Sequence, residues 1–265
     1  LSAAAIRPDD VVLEPSAGTG LLAILAEISG GSLILNELAD TRADLLSSLF
    51  PALSVTRFDA AQIHDHLDPA AVPTVVLMNP PFSAMANVTG KVQDATFRHI
   101  ASALARLAPG GRLVTMTGAG FGPDMPGWRD AFVRLQERGT VVFSAAIDGS
   151  VYTRHGTTFP TRLTVIDKIS AEDSARFPTS PGMAPDVATL LGWIADLVPP
   201  RLPVDLPKPP SPTLPAAARS VRGYLARVNA APAVSRPVAS PRAVELVYEA
   251  IDAVPNDAAR LSDAI

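Results

Sequence analysis

Residues 79–82 read Asn-Pro-Pro-Phe and directly follow the apolar run Thr74–Met78. Neither proline can donate to a sheet ladder, so two in succession end a central strand and fix a rigid corner. The corner sets an amide, Asn79, and a ring, Phe82, at fixed positions beyond the strand. The Asn79 side-chain carbonyl and the Pro80 backbone carbonyl can both accept from an NH2 group, and Phe82 offers a flat face to a planar base. That set suits substitution at a planar amino nitrogen, where positioning supplies most of the catalysis and no general base is needed.

A second constellation lies upstream. Glu14-Pro15-Ser16-Ala17-Gly18-Thr19-Gly20 follows the apolar run Asp10–Glu14 and opens an apolar helical pattern. Gly18 and Gly20 tolerate a tight turn and let a ligand approach the backbone, and the helix N-terminus beyond offers unpaired N–H groups. Glu37 arrives 17 residues after Gly20, at the end of the next apolar run. In a doubly wound layout an acid there accepts hydrogen bonds from ribose hydroxyls. Asp59-Ala60 follows the third run and could hold an adenine amino group, or simply cap a helix. The dinucleotide fingerprint G-x-G-x-x-G fails at its third glycine, which is Ala23.

Glu14–Gly20 resembles motif I of class I S-adenosylmethionine (SAM)-dependent methyltransferases, in the D/E-P-x-x-G-x-G form common among DNA adenine methyltransferases. Asn79–Phe82 resembles motif IV of N6-adenine and related amino-methyltransferases. The resemblance covers residues from about Ala5 to Lys168. It implies that SAM is held by Glu14, Pro15, Ser16, Gly18, Gly20, Glu37, Asp59, Ala60 and Asn79. It also implies that Asn79, Pro80 and Phe82 act on an exocyclic amino group, first of all adenine N6 in DNA. RNA guanine and protein glutamine amides share the corner motif and stand as alternatives, as does a catalytically silent SAM- or DNA-binding module. More narrowly, the run is similar to the methyltransferase region preceding strawberry-notch-type helicases in bacteria, which implies a helicase-type partner domain attached C-terminally. The stretch that precedes motif I in the family is missing or short before Leu1, and no target-recognition segment is recognisable.

The elements that must position these residues are legible as alternation. Strand candidates are Asp10–Glu14, Ser32–Asn36, Ser54–Arg57, Thr74–Met78, Arg112–Thr117, Thr140–Ala146 and Thr161–Lys168. Most are continuous apolar runs, as expected of strands covered on both faces. Helical spacing marks Leu21–Ser29, Thr41–Phe50, Asp94–Leu107 and Trp128–Arg138. The expectation is an α/β fold: a doubly wound, mostly parallel, seven-stranded, Rossmann-like sheet with an antiparallel edge hairpin and a Pro-rich C-terminal extension.

The expected domains are 1–170, the methyltransferase; 171–198, a helical extension; and 199–265, a Pro-rich basic linker with short helices. Between Val198 and Arg242 there are 11 prolines, and Arg201–Arg242 carries seven basic residues against one acid. That stretch reads as a tether.

Composition narrows the classes. The 265 residues carry a formal net charge of -4 and are 48% hydrophobic, which excludes a small basic nucleic-acid module and wholesale disorder. With no cysteine and four histidines, neither a disulfide scaffold nor a metal site is expected, and a reducing cytoplasm is the expected setting. No apolar stretch is long enough for a membrane span. Leu1 in place of an initiator Met is expected of an interior piece of a longer protein. Tyr152, Arg154 and His155 in the hairpin loop are expected near the substrate mouth, His99 on the surface, and Trp128 and Trp193 in the core.

Overall fold

The computed structural model describes residues 1–80 and 93–204. Eight strands form one sheet: β1 (Val11–Glu14), β2 (Ser32–Asn36), β3 (Val55–Thr56), β4 (Val75–Met78), β5 (Arg112–Gly118), β6 (Thr140–Ile147), β7 (Thr161–Asp167) and β8 (Met183–Ala184). Their spatial order is β3-β2-β1-β4-β5-β7-β6-β8. β1 to β5 pair in parallel, and β7 runs antiparallel to both β5 and β6.

The helices follow the apolar spacing. They are α1 (Leu21–Ile28), α2 (Asp40–Leu49), α3 (Ile63–His66), α4 (Gln93–Arg106), α5 (Arg129–Gln136) and α6 (Val187–Leu197). On α4, Phe97, Ile100, Ala103 and Leu104 recur three and four apart, and the last three are fully buried. They pack on Leu13, Val76, Leu113 and Ile166 from four strands, with Phe132 of α5 closing the same layer. Every residue of β4 and β7 is buried, because helices and neighbouring strands cover them on all sides.

The chain runs outward from β1 through β2 to β3 and then returns to the other side of β1 as β4. Such a reversal opens a crevice at the carboxyl ends of the two strands. Leu13 pairs with Val76, so the segments after β1 and β4 leave adjacent strands at similar heights and flank that crevice.

Three expectations are corrected. The sheet has eight strands rather than seven: Met183–Ala184, in the stretch expected to be helical, pairs in parallel with Ala146–Ile147. Two residues carry no periodicity, so local pattern could not show them. The β6–β7 hairpin is not the edge, since β7 inserts between β5 and β6 and β8 lies outside β6. The link between these two strands is a 3-10 helix, Gly149–His155, capped by Asp148 through the Ser150 N–H.

The third correction concerns where the domain ends. Residues 199–204, assigned by composition to the linker, pack on the amino edge of the sheet. The Arg201 guanidinium is 1% exposed and pairs with Asp10 at the foot of β1. It also donates to the carbonyl of Ala5 at 3.1 Å. Arg7 donates to the Arg201 carbonyl, and Arg112, itself paired with Asp167, donates to that of Pro199. Residues 199–204 form neither helix nor strand, yet they dock. By compactness the chain divides into residues 1–214 and 215–265, and the second unit lies outside the described residues. Among the described residues no helix is long and apolar enough to cross a membrane.

Candidate active site at the carboxyl edge of the sheet

Parallel pairing brings the sequence candidates to one edge. Glu14–Gly20 follows β1, Glu37 follows β2, Asp59-Ala60 follows β3 and Asn79-Pro80 follows β4. These are four neighbouring strands, so the candidates span about 14 Å at ordinary strand spacing.

The glycine turn is built by hydrogen bonds to β2. Ala17 N–H donates to the Asn36 carbonyl at 2.9 Å, and Gly18 N–H donates to Glu37 Oε2 at 2.9 Å. Gly18 (φ 58°) and Gly20 (φ 85°) both adopt left-handed backbone, which explains why glycine stands there. Their surroundings differ. A Cβ on Gly18 would meet open space, leaving room for a ligand against the turn. A Cβ on Gly20 would come within 2.8 Å of Leu46 Cδ2, so glycine here lets helix α2 pack against the turn.

Glu37 is 4% exposed at its side chain and accepts three hydrogen bonds. Ala39 N–H and Arg42 Nη2 reach Oε1 at 2.9 and 2.7 Å, and Gly18 N–H reaches Oε2. Burial pushes its pKa upward, but Arg42 and the two backbone donors outweigh it and hold the carboxyl below its ordinary range. It is therefore a fixed anion. A carboxylate has about four acceptor positions, so one remains, on Oε2. Leu38, the next residue, is 61% exposed. An apolar side chain left in solvent beside a fixed anion is suited to the face of a ring, and local pattern gave no reason to single it out.

Glu14 behaves differently. It is buried beneath the turn, and burial raises its pKa to about 8, opposed by the Ala23 N–H that it accepts in the first turn of α1. Its Oε2 is buried without a hydrogen-bond partner among the described residues. Pro15 is buried and Ser16 half-buried, and the Pro15 carbonyl accepts from Asn36 Nδ2 at 2.8 Å. Asn36 is the residue that sequence reasoning missed. Its Nδ2 also donates to the Phe58 carbonyl at 2.9 Å, and its Oδ1 accepts from the Phe58 N–H and from Thr56 Oγ1, each at 2.8 Å. One fully buried amide thus ties the glycine turn to the segment carrying Asp59.

Asp59 caps the 3-10 turn Ala60–Gln62 through the Ala61 N–H at 2.9 Å, and Ala60 is buried beside it. His99 is not on the surface, as expected, but 15% exposed, with Nε2 3.8 Å from Asp59 Oδ1. Desolvation lowers its pKa, against the pull of Asp59, so the ring stays neutral at pH 7.

Asn79 is exposed and Pro80 buried at the end of β4. Phe82, like Ser83 and Asn87, lies outside the described residues, as does the side chain of His155. Phe159, just before β7, is 48% exposed, and its Cε1 lies 3.4 Å from the Cβ position of Gly118 at the end of β5. It sets an aromatic ring at the carboxyl end of β5 that no motif signalled. Tyr152 is occupied by Thr161, its hydroxyl 2.7 Å from Oγ1, and Arg154 is exposed. Trp128 packs on Phe121 at the core margin, whereas Trp193 is only half-buried. Among the described residues no cluster of three or more acidic or histidine side chains could hold a metal ion.

Neither a family model nor a curated protein matches the chain. Solved structures do. A Listeria monocytogenes protein assigned as a class I SAM-dependent methyltransferase is similar over 75% of this chain and 67% of its own, with TM-score 0.52 and 12% identity. The M protein of the type I restriction enzyme EcoKI is similar over 65% of this chain and 42% of its own, with TM-score 0.50 and 15% identity. The modification subunit of an assigned type I restriction enzyme from Vibrio vulnificus gives TM-score 0.50 at 16% identity, over 72% and 49% of the two chains. The chain therefore spans less than half the length of the two restriction subunits. At these identities the likeness shows the fold alone: a mixed α/β sheet like that of these three structures.

Proposed function

We propose that this chain transfers a methyl group from SAM to an exocyclic amino nitrogen, first of all N6 of adenine in DNA. The observation that carries the reading is the exposed Asn79, on the strand beside the one that ends in the glycine turn fixed by Glu37.

The donor set suits the cofactor. Glu37 is an anion with one acceptor position left for a ribose hydroxyl, Leu38 offers an apolar face, and Gly18 borders open space. Asp59 and Ala60 stand at the adenine end, while Glu14, Pro15 and Ser16 floor the turn at the other. When bound, SAM supplies a methyl group on a positively charged sulfur, which leaves as a neutral thioether when nitrogen attacks.

The chain's own residues need only hold the amine. The Asn79 carbonyl and the Pro80 carbonyl accept its two N–H bonds, which aims the nitrogen lone pair outward as planarity is lost. The product's surplus proton passes to water. Phe82 keeps the stacking role its sequence position suggests. That two of the similar folds belong to restriction-modification subunits makes DNA the first substrate to test, and the attached helicase-type partner belongs to the same reading.

Transfer of labelled methyl from SAM to DNA, RNA and protein, assayed in parallel, tests substrate and activity together. Asn79→Ala should keep its melting temperature and SAM affinity and lose most transfer, in kcat more than in KM. Full transfer by that variant would remove the reading.

A further inference from the structure

On the far side of β5 from the candidate active site, a cleft of about 380 Å³ opens between the β5–α5 loop, β6 and residues 175–180. Its walls are built. Gln136, fully buried, donates from Nε2 to the carbonyls of Ser174 and Arg176 at 2.9 and 2.8 Å and so fixes one wall. Arg162, buried in β7, fixes the other. It donates to the Ala119 carbonyl and to Ser144 Oγ, each at 3.0 Å, and pairs with Asp124 at 2.9 Å. The one carboxylate lining the cleft is thereby already neutralised.

Two exposed guanidiniums remain on the lining. Arg129 lies over the Phe177 ring, 5.4 Å from its centroid, and donates to the Ala175 carbonyl at 3.0 Å. Arg176 lines the same cleft. Among the described residues neither forms an ion pair. Held over the ring and bonded through Nη2 to one backbone carbonyl, Arg129 keeps further N–H donors for an anion such as phosphate.

Register places this cleft relative to the corner. Met78, next to Asn79, pairs with Thr115, Thr115 with Thr164, and Thr164 with Ser144. Three strand spacings put Ser144 about 14 Å across the sheet from Met78. A nucleic-acid strand rises about 3.4 Å per nucleotide, so that gap is a few nucleotides.

We infer that this cleft is a phosphate subsite, in which Arg129 and Arg176 hold the backbone of the strand that flanks the target base. The inference rests on the amino-methylation reading for its direction but is tested apart from it. The full chain is titrated with a short single-stranded oligodeoxynucleotide at several salt concentrations. For the R129A/R176A pair, the slope of log affinity against log salt should become shallower by roughly 1.4, two phosphates at about 0.7 each. SAM affinity should not change. R129K/R176K should recover the slope, which separates lost charge from a disturbed wall.

An unchanged slope in the alanine pair, absence of oligonucleotide binding by the unaltered chain, or equal competition by polyglutamate would each overturn the subsite. Slope loss with no methyl transfer by the unaltered chain would keep the subsite and remove the chemistry. Transfer with an unchanged slope would do the reverse.

Discussion

Two carboxylates at the ends of neighbouring strands carry opposite states at the same edge, and environment alone separates them. Glu37 is buried, but three donors hold it charged; Glu14 is buried with one donor, and its pKa rises to about 8. Removing Glu37 as Glu37→Ala should weaken SAM binding by roughly 1–3 kcal/mol, because a charge-assisted acceptor and the anchor of Gly18 go together. Calorimetry on the folded variant reads it, and unchanged affinity would end the ribose assignment. For Glu14 the sign runs through linkage. Below about pH 4.5 both folded and unfolded chains hold the proton; above it the unfolded chain releases its proton first, so stability falls as pH rises toward about 8. Glu14→Gln should remove that decline, and urea unfolding curves from about pH 5 to 8 should come out flatter than those of the unaltered chain.

At the level of elements, the strands were legible and their joints were not. Continuous apolar runs located seven of the eight strands, because strands buried on both faces leave an unbroken signature. The amide that joins three of them, Asn36, has no signature: any polar residue at a strand end looks alike until the ends of β1 and β3 meet it. Asn36→Ala would leave the Pro15 and Phe58 carbonyls and the Phe58 N–H without their buried partner. We expect a loss of about 3 kcal/mol or more in chemical denaturation, from three groups that each lose about 1 kcal/mol or more. Hydrogen exchange should quicken at the glycine turn and around Asp59 together. Quickening at one without the other would show that Asn36 is not the link.

For the molecule as a whole, the decisive contact joins the beginning of the described residues to their last few. Arg201 meets Asp10 across 191 residues of chain, so the described domain closes only after α6 has crossed back to the foot of β1. Truncation after Leu197 should strand Asp10 as a buried, unpaired charge and cost about 3–5 kcal/mol, whereas truncation after Val204 should be nearly neutral. Brief proteolysis should accordingly cut between Asp205 and Arg242 and spare 198–204. Cleavage inside 198–204 under the same conditions would place the tether where composition alone put it.

The sequence by itself determined the class of fold and set the Glu14–Gly20 turn and Asn79 at the ends of neighbouring strands. These follow from local facts: period, turn chemistry and the order of strands and helices. Only the tertiary structure decided that Gly20 serves packing while Gly18 borders open space, that His99 turns inward toward Asp59, and that Leu38 and Phe159 stay exposed. It alone decided that a proline-rich stretch begins as part of the domain. In each case the meaning of a residue lies in a neighbour distant along the chain, and periodicity holds no information about which distant residue will arrive.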